Sequence, residues 1–438
     1  NVELLVLERS ARSGGNVCTY EMDDYILELG PDSFLTEKTD ALEFCKELGL
    51  EDKIIPTSAN CRGSFVAHKG RLHALPEGFA MLAPTQIGSF ISSELFSWSG
   101  KLRMAMDLFI PKGPPGVDES LAQFVRRRLG QEALERIAQP MLGGVYTADP
   151  EQLSLRATMP RFLDLEQKHG SLIRGLAAAR NRASSGAGGT DSGARYSMFA
   201  SLERGLGQMI DAAIDKIGDA QFCYQSAVVG VEKGARGKAF DVVLAMGTIV
   251  PCDAVVIASS SSIAGNLVAT MDPDLSASLK KIEYASSAVL NSIYNRRDIP
   301  HALNGFGFVV PITEKRNVLA CSFIRIKFPN RCPADRVILR TFVGGALQPD
   351  VCELSDEQIE CLIWEDLHTY LGIETVPLMS LITRYSRAMP QYHIGHLDLV
   401  DQIDQRVASH PGLALAGNAY RGIGIPDCVR SGRRAAEQ

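Results

Sequence analysis

The sequence predicts an α/β protein with one doubly wound sheet domain assembled from both ends of the chain and other parts inserted between them. Three observations carry this. Residues 2–8, VELLVLE, are an apolar run closing on an acid, the pattern of a parallel strand covered on both faces. Residues 413–417, LALAG, show a second buried-strand pattern near the far end, running through a glycine-rich loop into a helix. The length, 438 residues, exceeds one ordinary core, so two or more domains are expected.

Composition narrows the class. Hydrophobic residues make up 45% and charged residues 22%, as in a folded globular chain. The formal net charge of -6 gives no reason to expect nucleic acid as a partner. The 10 cysteines are scattered without a C-x-x-C pair, a reduced, cytosolic usage with neither a disulfide framework nor a metal site expected. No apolar run reaches the ~18 residues of a spanning helix. The chain opens on Asn1 inside what reads as a strand, so an earlier strand and turn are expected to precede it.

The elements follow in order. Residues 38–50 have Leu42, Cys45 and Leu48 or Leu50 near helical spacing. Residues 62–76 alternate and turn at Lys69-Gly70, a hairpin. Residues 79–110 are mostly apolar with few charges, which suits either a surface lying on a membrane or an ordinary lid. Residues 118–142 read as one helix with a basic patch, and 182–195 as a low-complexity surface loop. A helix follows at 205–218, then strand, turn, strand, turn, strand over 227–260, ending in DAVVIAS. Alternating strands over 289–345 and a helix at 355–371 precede the closing motif.

Chemistry concentrates at three places. Glu8, directly after a strand, is placed to hydrogen-bond the hydroxyls of a ribose; a plain surface carboxylate is the alternative. Gly14-Gly15, preceded by Arg12, allows a backbone to approach a phosphate that the arginine neutralises, or is simply a turn. From Gly417 onward, a helix N-terminus with unpaired amides and a positive dipole end favours an anion, with Gly422 and Gly424 permitting close contact. Singly each is weak; their order implies that both termini build one cradle.

VLERSARSGG…LELGP resembles the second half of the FAD fingerprint shared by amine oxidases, phytoene desaturases and protoporphyrinogen oxidases, and LALAGNAYRGIGIPDCVRSGRRAAE resembles that superfamily's C-terminal FAD motif. QPMLGGVYTADPEQLSLRATMP, LNGFGFVVP with LRTFVGGA, and RYSRAMPQYHIGH are similar to segments of the protoporphyrinogen oxidase family. The resemblance spans nearly the whole chain. The family's G-x-G-x-x-G turn is absent, so weak flavin binding is expected of the sequence as written.

The resemblance implies FAD as cofactor and an α/β fold. Residues 1–60, 205–260 and 400–438 would form a discontinuous Rossmann-like FAD domain, and 61–75 with 261–399 a mixed-sheet substrate domain. Residues 76–204 would form a helical, membrane-associated region. It places Glu8 and Arg9 at the adenosine ribose, and Arg12, Gly14, Gly15 and Asn16 beside the pyrophosphate. Gly30, Pro31, Asp32 and Ser33 would run along the flavin, with Val228 at the adenine. Gly417, Asn418, Ile423, Gly424 and Ile425 would lie against the isoalloxazine, with Tyr385 as an aromatic wall. Arg62 would hold a substrate propionate, Arg71 being the fallback, with Gly144, Val309 and Phe342 as pocket walls. The flavin carries the chemistry, with no protein residue as catalytic base; His393 and His396 read as structural.

The implied activity is six-electron oxidation of protoporphyrinogen IX to protoporphyrin IX with oxygen as acceptor. The alternatives are coproporphyrinogen III as substrate, a carotenoid-desaturase-like enzyme, or a non-catalytic porphyrin-binding remnant. A cytoplasmic protein peripherally associated with a membrane, on a side the sequence leaves open, with ferrochelatase or the membrane surface as partner, and a homodimer are further expectations.

Overall fold

The computed structural model describes residues 3–59, 63–76, 79–80, 83–84, 87–184, 198–218, 221–235 and 237–438. The chain divides into two compact units. One comprises Asn1–Thr57, Ser192–Glu283 and His396–Gln438; the other comprises Ser58–Asp191 and Tyr284–Gly395.

The first unit is drawn from both chain ends. Strand Val6–Leu7 runs parallel to Phe222–Cys223, and strand Val255–Ile257 runs parallel to Leu413–Leu415. A three-stranded antiparallel sheet joins Phe34–Leu35, Phe199–Leu202 and Ile54–Pro56. Its core gathers Phe34, Leu42, Cys45, Leu202, Leu206 and Met209. Val17, near the start of the chain, and Ile425, near its end, both pack against this cluster. Each fully buried side chain of this size contributes about 1.5–3 kcal/mol.

Two expectations for this unit change. The first strand was expected to be covered on both faces, yet Leu4 and Leu5 are 46% and 45% exposed. Among the described residues Val6–Leu7 pairs with Phe222–Cys223 alone. Residues 227–260 hold four strands rather than three: Val228–Lys233, Phe240–Leu244 and Ile249–Cys252 form an antiparallel meander before Val255–Ile257. The partition also differs from the sequence boundaries. Strand Phe199–Leu202 and the helices Ser261–Leu267 and Pro273–Lys280 belong to the first unit.

The second unit is built on a seven-stranded mixed sheet. Its order is Met379–Pro390, Tyr284–Asn295, Arg336–Gly344, Val318–Phe323, Gly307–Val309, Phe65–His68 and Arg71–Ala74. Only Gly307–Val309 and Phe65–His68 pair in parallel; the other neighbours are antiparallel. The hairpin turns at Lys69 and Gly70, both with positive φ, as the alternation predicts. Gly307 is obligatory for a different reason. A Cβ there would stand 2.1 Å from the Cys321 carbonyl oxygen across the ladder.

One face of this sheet is closed by helix Asp356–Leu371. Ser355 starts it with a capping box completed by Gln358, worth about 1 kcal/mol. Ile359, Ile363, Leu367 and Leu371 recur at four-residue spacing and pack on Leu290, Tyr294, Leu339 and Val343.

The helical part of this unit departs from the single helix expected at 118–142. Helix Leu121–Arg128 ends before Gly130, whose φ is +95° and whose absent Cβ makes room for the Arg103 stem. A π-helical turn, Leu134–Ala138, then leads into helix Gln139–Tyr146. Buried Arg128 donates to the Asp107 carboxylate and carbonyl and to Glu166, and Ser171 donates to Asp107. Trp98, Leu102, Met106 and Phe109 line one exposed side of the segment that contains helix Trp98–Ala105. Among the described residues no helix is long and apolar enough to cross a membrane. Most of the low-complexity stretch expected as a surface loop, and part of 79–110, lie outside the described residues.

Candidate functional site

The first group of site residues lies in the first unit. Strand Val6–Leu7 delivers Glu8 to its carboxyl end, where the Glu8 amide donates to the Cys223 carbonyl at 2.9 Å. The Glu8 carbonyl accepts from the Ser226 amide at 2.8 Å, which brings Val228 into the neighbourhood of the acid. The Glu8 carboxylate accepts from the Ser10 amide at 2.6 Å and orders the turn that follows. Arg9 is exposed. Arg12 folds back and donates to the carbonyls of Ser13, Gly15 and Val17, so its guanidinium stitches the Gly14-Gly15 turn from within. Asn16 is exposed beside it. Gly15 has φ +55°, and a Cβ built there meets nothing within 4 Å.

Gly30, Pro31, Asp32 and Ser33 follow the hairpin Thr19–Met22/Tyr25–Glu28 and precede strand Phe34–Leu35. Ser33 Oγ donates to Asp32 Oδ1 at 2.7 Å. The hairpin is held by a residue that the sequence reading did not single out. Buried Glu28 accepts from Thr19 Oγ1 and from the Leu206 amide, both at 2.7 Å. Thr19 also accepts from the Gly207 amide at the start of helix Gly207–Ile217, so acid and hydroxyl together satisfy that helix N-terminus.

The closing loop brings Gly417, Asn418, Ile423, Gly424 and Ile425 to the same unit. Gly417 has φ +122° with open space where a Cβ would stand, and Asn418, Ile423 and Gly424 are half-buried. Gly424 caps helix Ile425–Glu437, with Pro426 in its first turn. At this helix start Asp427 supplies a carboxylate from the first turn, accepting from Lys38 at 2.7 Å and Arg430 at 2.7 Å. Gly422, with φ +144°, lets the loop close over that carboxylate; a Cβ there would lie 2.3 Å from Asp427 Cγ. Tyr420 and His396 are buried nearby in sequence and fold, and His396 Nε2 bonds the Tyr420 carbonyl at 2.8 Å, the structural role expected of it.

The substrate-side residues lie in the second unit. Val309 pairs with Ala320, and Ala320 pairs with Phe342, so all three share one row on one sheet face. Helix Gln139–Tyr146 crosses the same spot: a Cβ on Gly144 would stand 3.8 Å from Ala320 Cβ. Gln139 Oε1 accepts from the Ile312 amide at 2.9 Å and fixes the helix to the loop after Val309. Gly144, Val309 and Phe342 thus converge on Ala320, which the sequence reading missed. Alternate residues of strand Val318–Phe323 tell the two faces apart: Cys321 and Phe323 are fully buried toward the helix-covered side, whereas Ala320 and Ser322 are half-exposed. Tyr385 lies on strand Met379–Pro390 opposite Ser287, in the second unit. Arg71 is exposed at the hairpin. Arg62 lies outside the described residues.

The model of the family described as flavin containing amine oxidoreductase matches residues 1–438. The chain belongs to this family. It is a flavin-dependent oxidoreductase, and its cofactor is FAD. A coproporphyrinogen III oxidase of Bacillus subtilis (strain 168) is 34% identical, over 99% of this chain and 91% of that protein. The chloroplastic protoporphyrinogen oxidase of Nicotiana tabacum is 28% identical, over 99% of this chain and 80% of that protein. Among solved structures, one provisionally assigned as a protoporphyrinogen oxidase of Exiguobacterium sp. 255-15 is 28% identical, with TM-score 0.85 over 99% of this chain and 93% of that one.

The first unit fits the cofactor on its own geometry. A carboxylate stands at the end of a parallel strand, followed by a tight glycine turn, and both Gly15 and Gly417 leave open the space that a Cβ would fill.

Proposed function

We propose that the protein oxidises coproporphyrinogen III to coproporphyrin III, using FAD and molecular oxygen, in porphyrin synthesis. The observation that carries this reading is the convergence of Gly144, Val309 and Phe342 on Ala320. It forms a flat, half-exposed, largely apolar wall suited to a macrocycle, in a chain similar along its whole length to a coproporphyrinogen III oxidase. The sequence reading placed protoporphyrinogen IX first; the relatives favour its alternative, because the coproporphyrinogen oxidases are the more similar.

FAD, when bound, accepts two electrons per turn and passes them to oxygen, so three turns remove the six electrons and six hydrogens that separate porphyrinogen from porphyrin, with three hydrogen peroxides formed. The chain's own residues bind and orient. Glu8 would take the ribose hydroxyls, and the Gly14-Gly15 turn, kept in shape by Arg12, would let the pyrophosphate approach. The closing loop from Gly417 to Ile425 would lie along the ring system. On the substrate side, Val309, Ala320 and Phe342 present an apolar row, and Gly144, lacking a side chain, lets the crossing helix approach it closely. Binding and orienting, rather than acid–base chemistry, is the contribution asked of the protein.

The test is steady-state. With flavin-loaded protein, porphyrin formation is followed by fluorescence with each porphyrinogen in turn. The expected result is a kcat/KM for coproporphyrinogen III at least about tenfold above that for protoporphyrinogen IX, a difference of ~1.4 kcal/mol. The reverse order would overturn the substrate assignment, and turnover of neither would overturn the reading.

A further inference from the structure

The outermost strand of the seven-stranded sheet, Met379–Pro390, breaks register beside the apolar row. Ala285 opposes Met389 and Ser287 opposes Tyr385, so Ser286 alone faces Ser386, Arg387 and Ala388. A strand that holds extra residues bulges and bends at that point. Arg387 carries the strain of the bend, with φ +49°. The left-handed region disfavours a side chain, and glycine would occupy it at no steric cost. The Arg387 amide donates to Ser286 Oγ at 3.0 Å, and the Ser286 carbonyl accepts from the Gly345 amide at 2.8 Å. The bulge is thereby pinned to the end of the strand that carries Phe342.

The residues on either side of the bulge belong to the face of the apolar row. Val289 pairs with Phe342 on one side and with Thr383 on the other. Ser287 and Ala285 precede Val289 at two-residue steps and share its face. Their partners, Tyr385 and Met389, flank the bulge. The bulged strand lies two strand spacings, about 10 Å, from the strand of Phe342. Two arginines stand close together here and differ in what they do. Arg384 is committed: it donates to the carbonyls of Cys352 and Leu354 and to the Asp356 carboxylate. Arg387 is exposed, and among the described residues its guanidinium has no hydrogen-bond or ion-pair partner.

A bulge that only blunted the sheet edge would have no need of a long cation at its strained position. Strain of this kind collects at sites where a ligand is held. A ring lying on Val309, Ala320 and Phe342 carries its carboxylates on its rim, beyond the apolar surface. A cation that meets them belongs at the border of the wall, where its planar fork is open to a carboxylate.

We propose that Arg387, placed by the bulge and held by Ser286, is a specificity-determining residue that takes a propionate carboxylate at the rim of the porphyrinogen. This rests on the porphyrinogen reading above. Coproporphyrinogen carries four propionates and protoporphyrinogen two, so a cation at the rim favours the former. Arg387 is distinct from Arg62 and Arg71, the arginines expected from the sequence, and its strand is at the opposite end of the sheet from that of Arg71.

The experiment compares flavin-loaded wild-type protein with Arg387→Gly and Arg387→Lys. Glycine removes the cation and relieves the strained backbone, so Arg387→Gly should unfold thermally at or above the wild-type temperature. Its KM for coproporphyrinogen III, and its dissociation constant for coproporphyrin III read by fluorescence quenching, are expected to rise about 3- to 10-fold. The loss should fall on KM rather than kcat, and the gap from wild type should narrow at high salt, where the charge is screened. Binding of the tetramethyl ester of coproporphyrin III should not weaken, and Arg387→Lys should keep part of the wild-type affinity. Should Arg387→Gly not fold, Arg387→Asn, whose side chain also tolerates the left-handed region, is read in its place. Equal weakening of acid and ester, an unchanged KM, or a fall in unfolding temperature in both variants would overturn the proposal. Were wild-type protein to turn over no porphyrinogen and bind no porphyrin, the functional reading itself would fail; turnover with an insensitive Arg387 variant defeats this proposal alone.

Discussion

Lys38 Nζ donates to both carboxylate oxygens of Asp427, at 2.8 and 2.7 Å, across 389 residues of chain. The pair ties the segment after strand Phe34–Leu35 to the first turn of the closing helix. It also supplies the negative charge that the helix start favours. The two members are unequal, because the Asp427 side chain is 9% exposed and that of Lys38 is 44% exposed.

From that asymmetry, Lys38→Ala is expected to cost less than about 1 kcal/mol, as exposed ion-pair partners do. Asp427→Ala should cost more, because it strips the helix start and leaves Lys38 and Arg430 facing each other. Urea unfolding of both variants checks the order. An equal loss would mean that Asp427 does no more than pair with Lys38.

The open space at Gly15 gives a second prediction. Gly15→Val places a β-branched residue at φ +55°, strained by about 1–2 kcal/mol or more, and fills the gap with methyl groups. Purified variant should carry markedly less flavin per protein than wild type, with little change in far-ultraviolet circular dichroism. A full complement of flavin would show that the turn does not face the cofactor.

Buried Arg128 is committed to Asp107 and Glu166. Removing one partner leaves a charge stranded, so Asp107→Ala should destabilise by about 3–5 kcal/mol. The double change Arg128→Met with Asp107→Leu should cost less than the single one. Thermal unfolding of the pair of variants decides it; a single change costing under about 1 kcal/mol would contradict the network's role.

Asp272 gives a pH dependence. Burial pushes its carboxyl up, but the bonds from His410, the Leu275 amide and Arg406 outweigh burial and hold it well below the usual range. A carboxylate lowered by folding stabilises above its unfolded value, about 3.9, and loses that contribution as pH falls from there toward the folded value. Asp272→Ala should therefore unfold earlier than wild type at neutral pH, with the gap narrowing below about pH 4. A gap independent of pH would mean that the carboxylate's charge contributes nothing.

Burial pushes the Cys321 and Cys45 thiols up to about 12, while Cys361 is exposed. In native protein an aromatic disulfide reagent should label Cys361 and leave the other two until denaturant is added. Rapid native labelling of Cys321 would mean that the strand carrying Ala320 opens readily.

Much of this was legible in the sequence wherever the deciding contacts are local. The Lys69-Gly70 turn announces its hairpin within two residues, and the helix read at 355–371 is found at Asp356–Leu371. The resemblance at the two termini placed Glu8, Gly15 and Gly417 in one unit. What stayed hidden depends on distant partners. The partner of Asp427, Lys38, is 389 residues away and no local pattern points to it. The arginines of 126–128 read as one continuous helix because the Gly130 break is enforced by Arg103, packed from another segment. Ala320 needed the strand register, because a strand alone does not say which of its faces a helix covers.

The central claim is tested most directly by mixing oxidised, flavin-loaded protein with coproporphyrinogen III in the absence of oxygen and following the flavin absorbance. The account predicts prompt bleaching, restored when oxygen is admitted, with protoporphyrinogen IX bleaching more slowly. Flavin that stays oxidised in coproporphyrinogen III, or that bleaches only with protoporphyrinogen IX, would contradict it.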